Sequence, residues 1–195
     1  MGCRAQWFGG TDNLVLFNDM INGEYCSKIV DIEGLVDDKI INFPIYSTTR
    51  DGRLGLSLNF SRLETLRPGY GYSLLPDSNK NSNEPNDDGI FLIDMIKNSG
   101  KLLLPLNLIS NLEREESMDG AIHYFNHLLF NSVGSHFLFF HCWVKNGVKK
   151  VRTLISDVSG KKVSLISTSD SILSHFNWIN DNEMICYQGN GNHGK

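Results

Sequence analysis

Short apolar runs separated by polar turns dominate this chain, most clearly over its last two thirds. Few stretches hold an apolar period near 3.6 for long enough to argue a helix. The runs come in pairs. QWFGGTDNLVLFN, IYSTTRDGRLGLSLN, HLLFNSVGSHFLFFH and HFNWINDNEMICYQ each read as a strand, a tight polar turn and a second strand. Their turns centre on Asp12-Asn13, Asp51-Gly52, Val133-Gly134 and Asp181-Asn182. In three of the four, an Asp-Gly or Asp-Asn pair supplies residues that tolerate the positive φ of a two-residue hairpin. A second hairpin follows each of the first three: YCSKIVDI…DKIINFP, GIFLIDMIKNSGKLLLPL and VRTLISDVSGKKVSLIS.

One unit is therefore four strands. The second turn residues fall at 13, 52, 134 and 182, in steps of 39, 82 and 48 residues. A four-stranded unit recurring every ~40–50 residues is the signature of a propeller blade. The long step is explained by RPGYGYSLLPDSNKNSNEPNDD, which lacks an apolar strand pair and reads as a surface loop inserted at about 61–88. ISNLEREESMDGA reads as a short helical turn. The expected fold is all-β: an incomplete β-propeller of three four-stranded blades plus a terminal hairpin, one partial domain over 1–195. An open arc leaves strand edges unpaired, so the chain is expected to be a fragment, a truncated reading frame, or a half completed by a second chain.

The inner strand of a blade lines the central channel. Seven residues before the turn anchors stand His127, His175 and Gln6, with Ile45 breaking the set. Three of four inner strands thus bring a polar or metal-capable side chain to one register. Strand alternation would place His123 and His127 on a shared face turned to the channel. Leu128, Leu129 and Phe130 would pack between blades. His136 and His141 read as structural or exposed, and His193 sits in a Gly/Asn tail.

Composition removes several classes. The 195 residues are 41% apolar with a net charge of −4, enough for a core but without the concentrated positive patch that nucleic acid requires. The densest basic run, KNGVKKVR, reads as a solvated hairpin end. No run approaches the ~18 apolar residues of a membrane span. MGCRAQWFGG is not a secretory signal, and Gln6 stands where a myristoylation signal needs Ser or Thr. Cys3, Cys26, Cys142 and Cys186 form no CxxC and read as reduced thiols of a cytoplasmic protein. No nucleophile elbow, P-loop or dinucleotide fingerprint is present.

HYFNHLLFNSVGSHFLFFH, followed some fifty residues on by SHFNW, resembles the oligogalacturonate lyase group of seven-bladed propellers. That family carries an H-x-x-N-H-hydrophobic-x-F inner strand and an S-H-x-x-W inner strand in the next blade. DVSGKKVSLIS fits its Asp-x-x-Gly turn. The resemblance runs from about Arg4 to Gln188 and is strongest from His123 to Trp178. It implies part of a seven-bladed ring and metal-dependent β-elimination on short acidic (uronate) oligosaccharides, with a divalent metal, Mn2+, holding the uronate carboxylate. By that resemblance His175 is a metal ligand, the His123–His127 pair supplies the base, and Asn126 is a neighbouring partner or substrate contact. It places the remaining metal ligands, a glutamine and two histidines, in a blade after SHFNW, beyond Lys195. Arg67 is an assisting residue chosen on its chemistry, and Gln6 and Tyr70 are substrate contacts. The alternatives are a non-catalytic saccharide- or protein-binding module, in which Tyr70, Tyr72 and Trp7 stack on a ligand, and an inactive truncation product.

Overall fold

Fourteen strands follow the paired apolar runs. The computed structural model describes residues 4–190, so the readings at Cys3 and His193 fall outside it. The first sheet orders β1 (Gln6–Trp7), β2 (Leu14–Ile21), β3 (Glu24–Asp31) and β4 (Lys39–Ile41) side by side. The second repeats that order with β5 (Ser47–Thr48), β6 (Leu54–Ser57), β7 (Gly89–Asp94) and β8 (Ser99–Pro105). In the third, β9 (Ile122–Phe130), β10 (His136–Lys145), β11 (Val148–Asp157) and β12 (Val163–Ser167) do the same. The hairpin of β13 (Ser171–Trp178) and β14 (Met184–Asn190) closes the described chain. Every pairing is antiparallel between sequence neighbours. These are propeller blades, three four-stranded sheets and a hairpin, as the repeat predicts.

The turns depart from the expected chemistry in two places. Gly52 and Gly134 take the positive φ (+69° and +71°). In the first hairpin, however, Gly9 and Gly10 take it, and Asn13 instead donates its Nδ2 to Asp31 Oδ1 at 3.2 Å. In the fourth, Asn180 Oδ1 accepts the N–H groups of Asn182 and Glu183, both at 2.9 Å. A side-chain oxygen mimics a backbone turn there, so no left-handed residue is needed.

The core lies between sheets. Leu16, Ile29, Ile41, Ile45, Ile93 and Met95 join the first sheet to the second. A larger cluster, including Leu56, Ile90, Leu104, Phe125, Phe137, Phe139 and Leu154, joins the second to the third. The face-to-face burial is the reason a blade cannot stand alone.

The segment between β6 and β7 begins as a helix, α1 (Phe60–Leu66), rather than as loop. Asn59 caps it, its Oδ1 accepting the N–H of Arg62 at 2.9 Å. Phe60 and Leu63 turn inward at helical spacing and are buried. Glu64 Oε2 then accepts the N–H groups of Gly69 and Gly71, at 2.9 and 3.0 Å, and Tyr72 N–H donates to Phe60 O at 3.1 Å. Gly71 lies so close to the helix that a Cβ would collide with Phe60 O. This fastening holds Arg67 and Tyr70. A second helix, α2 (Leu106–Asn111), and a 3-10 turn at Glu116–Met118 precede β9.

Candidate functional site

Pairing fixes the register that turn-counting approximates. The last paired residue before the hairpin loop is Phe8, Thr49, Asn131 and Ile179 in the four inner strands, set by their bonds to Leu14, Leu54, His136 and Glu183. Four residues earlier stand Arg4, Ile45, His127 and His175. The first loop, 9–13, is one residue longer than those at 50–53 and 132–135, and Asn13 sits at its end. Counting from Asn13 therefore lands on Gln6, two residues late. Gln6 lines a neighbouring crevice with Ala5, Ser47 and Leu128, not the cavity holding the two histidines, and its polar contact is to Thr48 Oγ1 at 3.5 Å. Arg4 takes the place expected of Gln6.

Three of these four positions share an uncommon backbone. Arg4, His127 and His175 have φ of +47°, +51° and +52°. Both histidines open a β-bulge: the register shifts between Leu138 and Phe140 opposite β9, and between Ser174 and Asn177 in β13. A bulge residue in this conformation is ordinarily glycine, and a side chain there costs on the order of 1 kcal/mol. Strain of that kind clusters at active sites and ligand clamps, and here it recurs at one register, which makes these residues the candidate site.

The bulge also corrects the face expected of His127. One extra residue reverses the alternation beyond it. His123 and Phe125 stay on a buried face with Phe139 and His141. His127 turns to the other face, where Tyr124, Asn126, Phe140 and Cys142 line a cavity of about 380 Å³. His175, Arg67, Tyr70, Lys149 and Lys150 line it too. A second cavity of about 430 Å³ is lined by His127, His175 and Tyr70 again, with Arg4 and Tyr46. The structure thus brings together His127, His175, Asn126, Arg67 and Tyr70, and leaves out His123 and Gln6.

His127 is held from behind. Its N–H donates to Asn126 Oδ1 at 2.8 Å and to Tyr46 Oη at 3.0 Å, while Tyr46 Oη–H donates to the same Asn126 Oδ1 at 2.9 Å. Its ring contacts Phe140 and Tyr70, with centroids 4.7 and 6.1 Å away. Nδ1 is buried with no hydrogen-bond partner among the described residues, a cost of about 1–3 kcal/mol that native proteins rarely accept without use. Arg67 reaches Tyr70, its guanidinium 4.7 Å over the ring and Nη2 3.4 Å from Oη. No aspartate or glutamate among the described residues lines either cavity. The site is cationic around the His127 imidazole.

Burial, then the charges of Arg4, Arg67 and His175, holds the His127 imidazolium down to about 4. His123 sits elsewhere, in a buried relay. Arg152 Nε–H can only donate, and it meets His141 Nδ1 at 3.1 Å. His141 must then donate Nε2–H to His123 Nδ1, at 2.9 Å, and His123 Nε2–H faces Met118 O and Glu84 Oε1, each at 3.3 Å. Both rings are 0% exposed, and His123 lines neither cavity that holds His127. Burial lowers the pKa of both; at His141 the Arg152 charge comes second. Arg152 is in turn held by the carbonyls of Ile109, Leu112 and Glu113 at the end of α2.

Acid should therefore unsettle the fold. An imidazole held below its unfolded value of ~6.5 contributes full stability above that pH and loses it as pH falls toward the folded value. For His127 the window runs from ~6.5 down to about 4 and is worth about 3 kcal/mol. His123 and His141 act in the same direction. Urea unfolding at pH 7 and pH 4.5 is expected to differ by at least about 2 kcal/mol; equal stabilities would contradict the neutral assignment of His127.

Antiparallel four-stranded blades with an inner-strand cavity define a propeller fold. No protein-family model matches the chain, and a search of curated proteins finds no relative. Among solved structures, oligogalacturonate lyase in complex with manganese is similar at a TM-score of 0.52 and 10% identity, over 96% of this chain and 50% of that one. The tricorn protease is similar at 0.49 and 11%, over 86% and 13%. The chain spans about half the length of the lyase.

The donors fit a divalent cation poorly. The cavity offers two imidazoles, and no group of three or more His, Cys, Asp or Glu side chains that could hold a metal forms among the described residues. Burial pushes the Cys142 thiol up to about 12, so it stays protonated. Two guanidinium groups flank the imidazoles where a metal site would gather carboxylates.

Arg4, Tyr46, Lys149 and Lys150 escaped sequence reasoning. A count from the last inward strand residue, instead of from the turn, would have found Arg4. The alternation of Lys149 and Lys150 at the start of β11 gave no sign that the hairpin end borders the site.

Proposed function

We propose that this chain is a lyase-like propeller that binds the carboxylate of an acidic saccharide and removes the adjacent proton in a β-elimination. The observation that carries this reading is a cation-lined, acid-free cavity around a neutral, left-handed histidine. His127 accepts the C5 proton of a uronate residue. The C5–H electrons form the C4=C5 double bond, the C4–O bond breaks, and the glycosidic oxygen leaves with a proton from solvent. Negative charge builds on the carboxylate during proton loss, and the guanidinium and ammonium groups lining the cavity stabilise it. Tyr70 offers a half-exposed ring for the sugar face. The likeness to oligogalacturonate lyase supports the saccharide class, with a uronide as substrate. The manganese in that structure is not carried over, because the donors here do not suit it.

A reducing cytoplasm belongs to the same proposal, and the buried free thiols of Cys26 and Cys142 support it. No helix among the described residues is long and apolar enough to cross a membrane. The test is an assay with digalacturonate, following the ultraviolet absorbance of the unsaturated product. Product formation is expected. Saturable binding without product would favour a binding module, for which the low basicity of the His127 ring speaks.

A further inference from the structure

We infer that Arg4 is the fixed cation that seats the ligand's carboxylate, so that binding at this site is independent of a divalent metal; this rests on the reading of the cavity as a carboxylate site. Arg4, two residues before β1, occupies the register of His127 and His175 counted from the hairpin loop, and shares their left-handed backbone. Its guanidinium lies 3.4 Å over the Tyr46 ring, and Nε–H donates to Tyr46 O at 3.2 Å. Those two contacts fix the plane of the group. Apart from Tyr46, whose hydroxyl also interacts with the guanidinium, Arg4 has no side-chain partner among the described residues, which leaves Nη N–H groups of a preorganised cation for a ligand. A carboxylate accepts such a fork in two parallel bonds, which a lysine cannot offer.

Tyr46 links this cation to the base. Its ring face carries Arg4, and its hydroxyl accepts from His127 N–H at 3.0 Å. An anion on Arg4 is thus placed beside His127 by a single rigid side chain. The same arrangement puts a permanent positive charge in the cavity shared by His127 and His175, opposing the entry of a second cation. The charge that a metal would bring is already built into the chain.

The experiment is calorimetric titration of galacturonate into the wild-type protein, Arg4→Ala and Arg4→Lys, each with EDTA and with added manganese. Thermal melts check that the variants fold. Wild-type binding is expected to be the same in both buffers. Arg4→Ala should weaken it at least about tenfold, with no recovery on adding manganese, and Arg4→Lys should fall between. Binding that EDTA abolishes and manganese restores would overturn the inference, as would a folded Arg4→Ala variant that binds like wild type. Digalacturonate added to the same samples separates the two claims. Arg4-dependent binding with no unsaturated product sinks the lyase reading and leaves the inference standing. Turnover undiminished in Arg4→Ala does the reverse.

Discussion

Replacing Arg62 with alanine is expected to destabilise the fold by about 3–5 kcal/mol, the range for breaking a buried ion pair. Arg62 is 3% exposed, and all five of its N–H donors are used. Nε donates to His123 O at 2.6 Å. Nη1 donates to Asp77 Oδ2 and Asn79 O, both at 3.1 Å, and Nη2 to Ser82 O and Asn83 O at 2.9 and 3.0 Å. One side chain thereby ties α1, the loop after it and β9 together. Its loss takes the ion-pair partner from Asp77 Oδ2, 5% exposed, and a donor from four carbonyls at once, while Asp77 Oδ1 keeps Asn59 Nδ2 and Asn79 N–H and Asn83 O keeps His123 N–H. Lysine cannot replace the fork and is expected to rescue less than half of the loss. Urea denaturation measures the change, and a loss below about 1 kcal/mol would show that the network is idle. Arg67 and Tyr70 hang from the same segment, so saccharide binding should weaken even at temperatures where the variant stays folded.

His127→Ala is expected to lower elimination by about 10²–10⁴-fold, the usual contribution of a positioned base, with galacturonate affinity changed only a few-fold. His123→Ala should behave differently. It removes a fully buried ring from the Arg152–His141 relay, so stability falls while turnover per folded molecule holds. Comparable turnover losses in the two variants would return His123 to the chemistry. A third variant separates backbone from side chain. His127→Gly is expected to be more stable than His127→Ala by up to about 1 kcal/mol, because glycine takes φ near +51° without strain, and to be equally inactive. Chemical denaturation of the pair, read beside the activity assay, checks both statements.

The blade count was legible because hairpins carry their own punctuation. Paired apolar runs and polar turns identify β1–β2, β5–β6, β9–β10 and β13–β14 without any tertiary information. His127 and His175 were legible as register partners for the same reason. What escaped depends on contacts between blades or on a single added residue. The bulge that turns His127 away from His123 leaves no mark in a period-two pattern. Gln6 was chosen over Arg4 because the first hairpin loop is one residue longer and its anchor falls at the loop's end. Helix α1 had a local signal: Asn59 ahead of Phe60, Leu63 and Leu66 at helical spacing. Arg62 had none, since five oxygens from distant loops decide that it is buried.

The left-handed backbone at Arg4, His127 and His175 restricts how this site can be altered. Valine, isoleucine and threonine are sterically shut out, and most other side chains enter only at a penalty. Glycine, asparagine, aspartate and histidine are the best-tolerated substitutes, and none of them offers a fixed positive charge. Redesign for a different ligand should therefore leave these three anchors alone and draw its diversity from Tyr70, Lys149 and Lys150, whose side chains line the cavity from backbone of the ordinary hand.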